Sequence, residues 1–465
     1  MKEAINPYLP SWEYIPDGEP YVFGDRIYVY GSHDIFDGQV FCLGDYVCYS
    51  APVNDLGNWR YEGVIYKKTD DPENPDGTMC LYAPDVTVGP DGRYYLYYVL
   101  DKISVVSVAV CDTPAGKYEF LGFVHYKDGT RLGERPGDEP QFDPGVLTED
   151  GKTYLYTGFC ARGDKSRTGS MLTVLGEDML TIEEEPIFVV PGVENKDRGT
   201  FVDHEFFEAS SIRKRGDKYY FIYSSIVMHE LCYATADDPR GPFTYGGVIV
   251  SNADIGIDTY KPANKPSMYG ANNHGSIVEI EGQWYIFYHR HTNGTWYSRQ
   301  GCAEKIEFLE DGSIPQVEIT SCGLNDGPLT GKGEHMAYTA CNLFTDVDNL
   351  YVGAPGVPKI TERRDEDMDK PEAFIAGIDN NATIGFKYYD CKGITKICLK
   401  VRGYGDGVFE VRTSIDGEVI AKMDVDNRNV WTGLVSDIKL ADGVYPFYIT
   451  FKGHGGLQLL SFELI

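Results

Sequence analysis

Five stretches of this chain repeat one design. YIPDGEPYVFGDRIYVYGSHD (14–34), DVTVGPDGRYYLYYV (85–99), DPGVLTEDGKTYLYTGF (143–159), EASSIRKRGDKYYFIYSS (208–225) and HGSIVEIEGQWYIFYHR (274–290) each run from a polar residue into an apolar strand. A Gly turn with an acidic neighbour follows, then a strand with Tyr or another aromatic at alternate positions. With Asp25, Gly92, Gly151, Asp217 and Gly282 as turn markers, successive copies lie 67, 59, 66 and 65 residues apart. Near-equal repeats of a few short strands predict a five-bladed β-propeller, its blades packed around a central channel.

The repeats occupy residues 1–318 of a 465-residue chain, which leaves room for a second domain. Residues 319–335 lose the aromatic alternation and gain Gly, which predicts a linker. From Met336 to Ile465 the alternating strands resume without the propeller repeat, and a jelly-roll-like β-sandwich is expected for 336–465. The fold class is therefore all-β, and 35 Tyr and 52 Gly suit many short strands joined by turns. The charged run at 360–374 reads as a solvated loop.

A net charge of −29 repels phosphate backbones and anionic membrane surfaces, so neither nucleic acid nor membrane is expected as a partner. The first twenty residues carry no apolar core of signal-peptide length, and no apolar run is long enough to span a bilayer, which gives a cytoplasmic address as the expectation. The 11 Cys lack CxxC spacing and read as buried thiols in a reducing compartment.

In a propeller the first strand of each blade lines the channel, so the residues that open those strands converge. Here they are Asp17, Asp85, Asp143, Glu208 and His274. Like charges crowded into a low-dielectric funnel cost free energy unless they have work or a cation. Paired carboxylates across a pocket suit glycosidic bond cleavage, in which a protonated acid serves the leaving oxygen and an ionised one activates water or attacks carbon.

On these residues the first 315 or so positions resemble glycoside hydrolase family 43, five-bladed propellers that act as inverting β-xylosidases and α-L-arabinofuranosidases. The resemblance implies Asp17, ahead of YVYGSHD, as general base, Asp143 of FDPGV as the residue that tunes the acid's pKa, and Glu208 of FFEASSI as general acid. LYAPDV (81–86) resembles the family's W-A-P-D segment, with Tyr82 in place of Trp and Asp85 beside it. His274 of NNHGSIV matches a histidine that helps hold a central calcium or its waters, and Arg299 of SRQGCAEKIEF matches an arginine that contacts the sugar. His33 and Asp34 are further candidates for the sugar pocket. Glu19 competes with Asp17 as base, because the chain reads IPDGEP where the family often reads A-D-P. The segments NATIGFKYYD and VFEVRTSIDG resemble carbohydrate-binding module family 6, in which Tyr388, Tyr389 or Trp431 would be either ligands or ordinary packing.

The expected function is an inverting exo-glycosidase that removes terminal β-D-xylose or α-L-arabinofuranose from oligosaccharides, without an organic cofactor and with calcium in the channel. Two alternatives stay open. A retaining fructofuranosidase-like propeller would use an Asp nucleophile, but PDGEP, FDPG and FEAS stand where its motifs would. A non-catalytic sugar-binding propeller would lack the acid or the base. His289 and His291 flank Arg290 at alternate positions without a third spaced ligand and do not suggest zinc.

Overall fold

A computed structural model describes residues 2–347, 351–366 and 368–465. Residues 19–306 form five antiparallel sheets in which each strand pairs with its sequence neighbour. The blades cover residues 19–66, 85–123, 145–191, 206–251 and 277–306, four strands each in the first four and three in the fifth. Their innermost strands are Glu19–Phe23, Asp85–Val88, Gly145–Glu149, Phe206–Arg215 and Ile277–Ile280. The repeat read from the sequence is thus the blade, and the residues that open each copy reach the channel. Among the described residues no helix is long and apolar enough to cross a membrane.

The ring closes where the N-terminal segment meets blade five. Gly18 bridges Gly275 in parallel, and a Cβ at Gly275 would lie 1.8 Å from the Phe287 carbonyl oxygen, so no larger residue fits. Outside the three strands of blade five, the Asn6 carboxamide imitates a strand partner for Ala303. Its Nδ2 donates to the Ala303 carbonyl and its Oδ1 accepts the Ala303 N–H, both at 2.9 Å. The chain start therefore ties its own last blade into the ring.

Beyond the propeller, a ten-stranded sheet curls over on itself. Two long strands, Lys396–Arg412 and Gly443–Leu464, pair along most of their length. Gly443–Leu464 pairs with Thr383–Cys391 near its start and with Gly333–Met336 at its end, so one strand serves both layers. Bends of this kind make the corners of β-sandwiches. Gly405 faces Gly455 and Gly407 faces Gly453 at the bend, where a Cβ on Gly455 would meet the Tyr404 carbonyl at 2.3 Å.

The segment 319–335, expected as a linker, is packed rather than free. Ile319, Leu324 and Leu329 are buried, and Leu329–Thr330 and Gly333–Met336 are already strands of the C-terminal sheet. One apolar cluster runs across both domains, joining Ile249, Val250 and Met268 of the propeller side to Ala340, Leu343 and Ile360. Burying these faces against each other removes them from water, which is why Gly-rich composition did not produce a flexible tether. Lys387, fully buried at this junction, reaches Asp254 at 3.3 Å and Glu318 at 3.2 Å and lies 3.9 Å over the Tyr260 ring. Tyr388 donates to Glu318 at 2.7 Å, whereas Tyr389 is fully buried against Phe447 and Phe462. Of the two tyrosines that could be ligands or packing, Tyr389 is core packing and the half-buried Tyr388 is tied to the domain junction. The cysteines are free thiols, with Cys322 and Cys398 half-buried and the others buried.

Candidate active site

A pocket of about 370 Å³ opens at one mouth of the propeller. Asp17, Asp143, Glu208, His274, Arg299 and Tyr82 all line it. Blades one, three, four and five each supply one of the first four from the residues that open their inner strands. Two of the acids sit in left-handed backbone, Asp17 at φ 57° and Asp143 at φ 41°. Asp tolerates that region better than most residues, and a turn there aims the carboxyl along the channel instead of into the sheet.

Asp17 is almost fully buried, and its Oδ1 accepts from Arg299 Nη1 at 3.0 Å, while Ser32 donates to its Oδ2. Burial opposes its charge, but the Arg299 guanidinium, with His274 nearby, holds the carboxyl well below the usual range. His289 Nε2 donates to the Asn272 carbonyl at 2.8 Å and its Nδ1 accepts the Asp17 backbone N–H at 3.4 Å, which makes this imidazole neutral and a support for the turn. Its own pKa is lowered by burial.

Glu208 has the opposite bias. Burial first, then the charges of Asp143 and Asp17, push its carboxyl well above the ordinary range. Asp143 is itself raised, chiefly by burial, and its Oδ2 accepts the N–H of Ala209 at 3.0 Å. Ala209 is left-handed at φ 66°, inside an irregular stretch of the strand Phe206–Arg215. Asp143 therefore shapes the backbone that presents Glu208 as well as the field around it. His274 stands between the acids, 3.7 Å from Asp143 Oδ2, 3.9 Å from Asp17 Oδ1 and 3.7 Å from Glu19 Oε1. Although burial opposes its charge, these carboxylates raise its pKa to about 9.

Three expected site residues do not line the pocket. Both oxygens of Asp85 are taken, Oδ1 by Tyr21 and the Val86 N–H and Oδ2 by the Val146 N–H, each at 2.7 Å. Asp85 ties blade two to blade three instead of facing sugar. Asp34 accepts from Arg299 Nε at 2.8 Å and Nη2 at 3.0 Å, so it orients the arginine that does line the pocket. His33 bonds Glu13 at 3.1 Å and the Asp45 carbonyl at 3.0 Å beneath the loop. Glu19, the rival base, pairs with Arg213 at 2.6 Å and accepts from Ser211 at 3.0 Å, deeper in the channel.

A calcium beside His274 would draw many of its ligands from water. Glu19 Oε1 is a buried carboxylate oxygen with no hydrogen-bond partner among the described residues, whereas Asp85 has both oxygens bonded and Asp143 Oδ2 holds Ala209. Calcium takes about six to eight oxygen ligands. The Arg213 guanidinium, buried and 4.2 Å over Tyr21, already supplies positive charge between Glu19 and Asp85.

Apart from Asn272 the remaining wall is mostly apolar and was not read from the sequence, with Phe41, Phe142, Phe159, Phe207, Met228 and Trp296 prominent in it. Phe142 and Phe207 immediately precede Asp143 and Glu208, and that adjacency was the available signal. Phe41 and Trp296 come from loops outside the repeat.

An aromatic-walled pocket with one carboxyl biased toward its ionised form and another toward its protonated form is suited to glycosidic bond cleavage. The profile of Glycosyl hydrolases family 43 matches residues 18–314. The chain belongs to glycoside hydrolase family 43. Within the family, a Thermoclostridium stercorarium protein described as a xylosidase/arabinosidase is 66% identical over 470 positions, covering 100% of this chain and 99% of its own. A Bacteroides ovatus protein of the same description is 31% identical over 345 positions, covering 67% of this chain and 97% of its own. The crystal structure of a family 43 enzyme from Xanthomonas citri complexed with xylose matches with a TM-score of 0.54 at 26% identity, covering 68% of this chain and 93% of that one. This family 43 chain thus carries a domain of about a third of its length that the B. ovatus and X. citri proteins do not match.

Proposed function

We propose that this glycoside hydrolase removes terminal β-D-xylose and α-L-arabinofuranose from oligosaccharides with inversion, using Asp17 as base, Glu208 as acid and Asp143 as the residue that positions and tunes Glu208. The observation that carries the reading is the opposite protonation bias of Asp17 and Glu208 in one pocket. The activity printed for the T. stercorarium relative supports the substrate class. A pocket of about 370 Å³ is at the small end of ligand sites, which run from about 300 to 1,000 Å³, and suits one buried sugar ring.

In this reading Glu208 gives its proton to the glycosidic oxygen as the bond to the anomeric carbon breaks. Asp17 takes a proton from a water that attacks the opposite face, and the new C–O bond forms with inverted configuration. Arg299 keeps Asp17 ionised and presents its guanidinium to the sugar. The electrostatic field of Asp143 keeps the proton on Glu208 until the leaving oxygen needs it.

The test is the stereochemistry of the first product. Purified protein with a β-xyloside should give α-xylose by proton NMR before mutarotation, and should also cleave the nitrophenyl glycosides of both pentoses. β-Xylose as the first product would make Asp17 a nucleophile and end the inverting assignment.

The channel charge is balanced here by Arg213 and the His274 imidazolium in place of calcium. Chelator should therefore leave both activity and Tm unchanged, and added calcium should raise neither. A Tm that falls with chelator and returns with calcium would refute this balance.

A further inference from the structure

Among the described residues, the C-terminal domain meets the pocket lining at Trp296. Trp296, which lines the pocket, sits on the loop that ends the hairpin between the last two strands of blade five. Its ring lies 6.4 Å from that of Tyr351, tilted by 17°. Tyr351 belongs to the C-terminal part of the chain, and with 44% of its surface exposed it presents a free ring edge and face to solvent.

This contact is held from both sides. Tyr351 bridges Gly270, and the next residue, Val352, donates its N–H to the Gly270 carbonyl at 3.0 Å and is buried in the apolar cluster shared by the domains. The Trp296 loop is gripped in turn by the strand Lys359–Arg363. The Asn293 N–H donates to the Ile360 carbonyl at 2.7 Å, Thr361 donates to Asn293 Oδ1 at 2.9 Å, and Lys359 Nζ donates to the Asn293 carbonyl at 3.2 Å. The backbone carrying each ring is therefore held in place, and an exposed tyrosine on a fixed backbone has less entropy to lose when it binds.

Asp17, Asp143 and His274 are buried at the pocket floor, so the sugar to be released sits there and the rest of the oligosaccharide leaves past the rim. Near-parallel aromatic rings offer an apolar face to the C–H groups of a pyranose. We infer that Trp296 and Tyr351 together bind the leaving part of the oligosaccharide, the sugar beyond the scissile bond, and that the second domain thereby sets the preference for chains over simple glycosides. This rests on the exo-glycosidase reading above. The chemistry itself needs no residue from 351 onward, in keeping with relatives that match the propeller alone.

The experiment compares Tyr351→Ala and Tyr351→Phe on xylobiose and xylotriose against a methyl pentoside, whose leaving group is too small to reach Tyr351. Inhibition by free xylose and arabinose reports the floor of the pocket. Tyr351→Ala should lower kcat/KM on the oligosaccharides by about three- to tenfold, mainly through KM, the scale of one aromatic contact. Turnover of the methyl pentoside and the monosaccharide inhibition constants should not move, and Tyr351→Phe should behave as wild type. An equal loss on both substrates would make Tyr351 a mere prop for Trp296 and overturn the inference, as would no loss on either. Wild-type protein that cleaves no pentoside at all would instead overturn the functional reading and this inference with it.

Discussion

Glu208→Gln should remove nearly all turnover of xylobiose, by about 10² to 10⁴-fold, while an aryl glycoside with an acidic phenol as leaving group should lose far less. The natural alcohol cannot depart without a proton, and the phenol can. Burial and the neighbouring carboxylates Asp143 and Asp17 raise the pKa of Glu208, so in the wild type the proton is held to a higher pH than an ordinary carboxyl would hold it. The alkaline fall of kcat/KM on the disaccharide should therefore lie well above the ordinary carboxylate range, and it should be absent from the aryl-glycoside profile of the Gln variant. Equal losses on both substrates would give Glu208 a different part in the reaction.

Asp17→Asn should abolish turnover of every substrate, aryl glycosides included, by about 10³-fold or more, because an amide cannot take the proton of the attacking water. Added azide should give no glycosyl azide of retained configuration, since the proposed inverting reaction has no covalent intermediate to intercept. Glu19→Gln is the control. Glu19 is bound to Arg213, so its change should appear in stability, where leaving a buried partner charge unpaired costs about 3–5 kcal/mol. An active Asp17→Asn beside a dead but folded Glu19→Gln would exchange the two assignments.

The propeller was legible because its period is written in residues that serve the backbone. The turn positions recur, and alternate aromatics mark the strands behind them. The four acids and the histidine that open the inner strands followed from topology alone, and all but Asp85 line the pocket. What such reasoning could not separate is a carboxyl that faces the pocket from one that serves the frame. Asp85 looks like Asp143 in sequence, yet three hydrogen-bond donors consume its oxygens. Hydrogen-bond saturation depends on which backbone N–H groups lie across the blade boundary, and no local pattern records that. His33 and Asp34 were assigned to sugar for the same reason and serve Glu13 and Arg299 instead. The loop aromatics Phe41 and Trp296 escaped notice because loops carry no period. The segment 319–335 misled through composition, since glycine marks close packing as readily as it marks flexibility.

The apolar cluster that spans both domains bears on how this architecture can be taken apart. Cutting the chain at the end of the propeller would lay Ile249, Val250 and Met268 open to water and strand the carboxylates of Asp254 and Glu318 without Lys387. The catalytic unit of this chain is therefore not a portable module, and a fusion or truncation that treats residue 318 as a seam would inherit a sticky, charge-imbalanced surface that the intact protein never exposes.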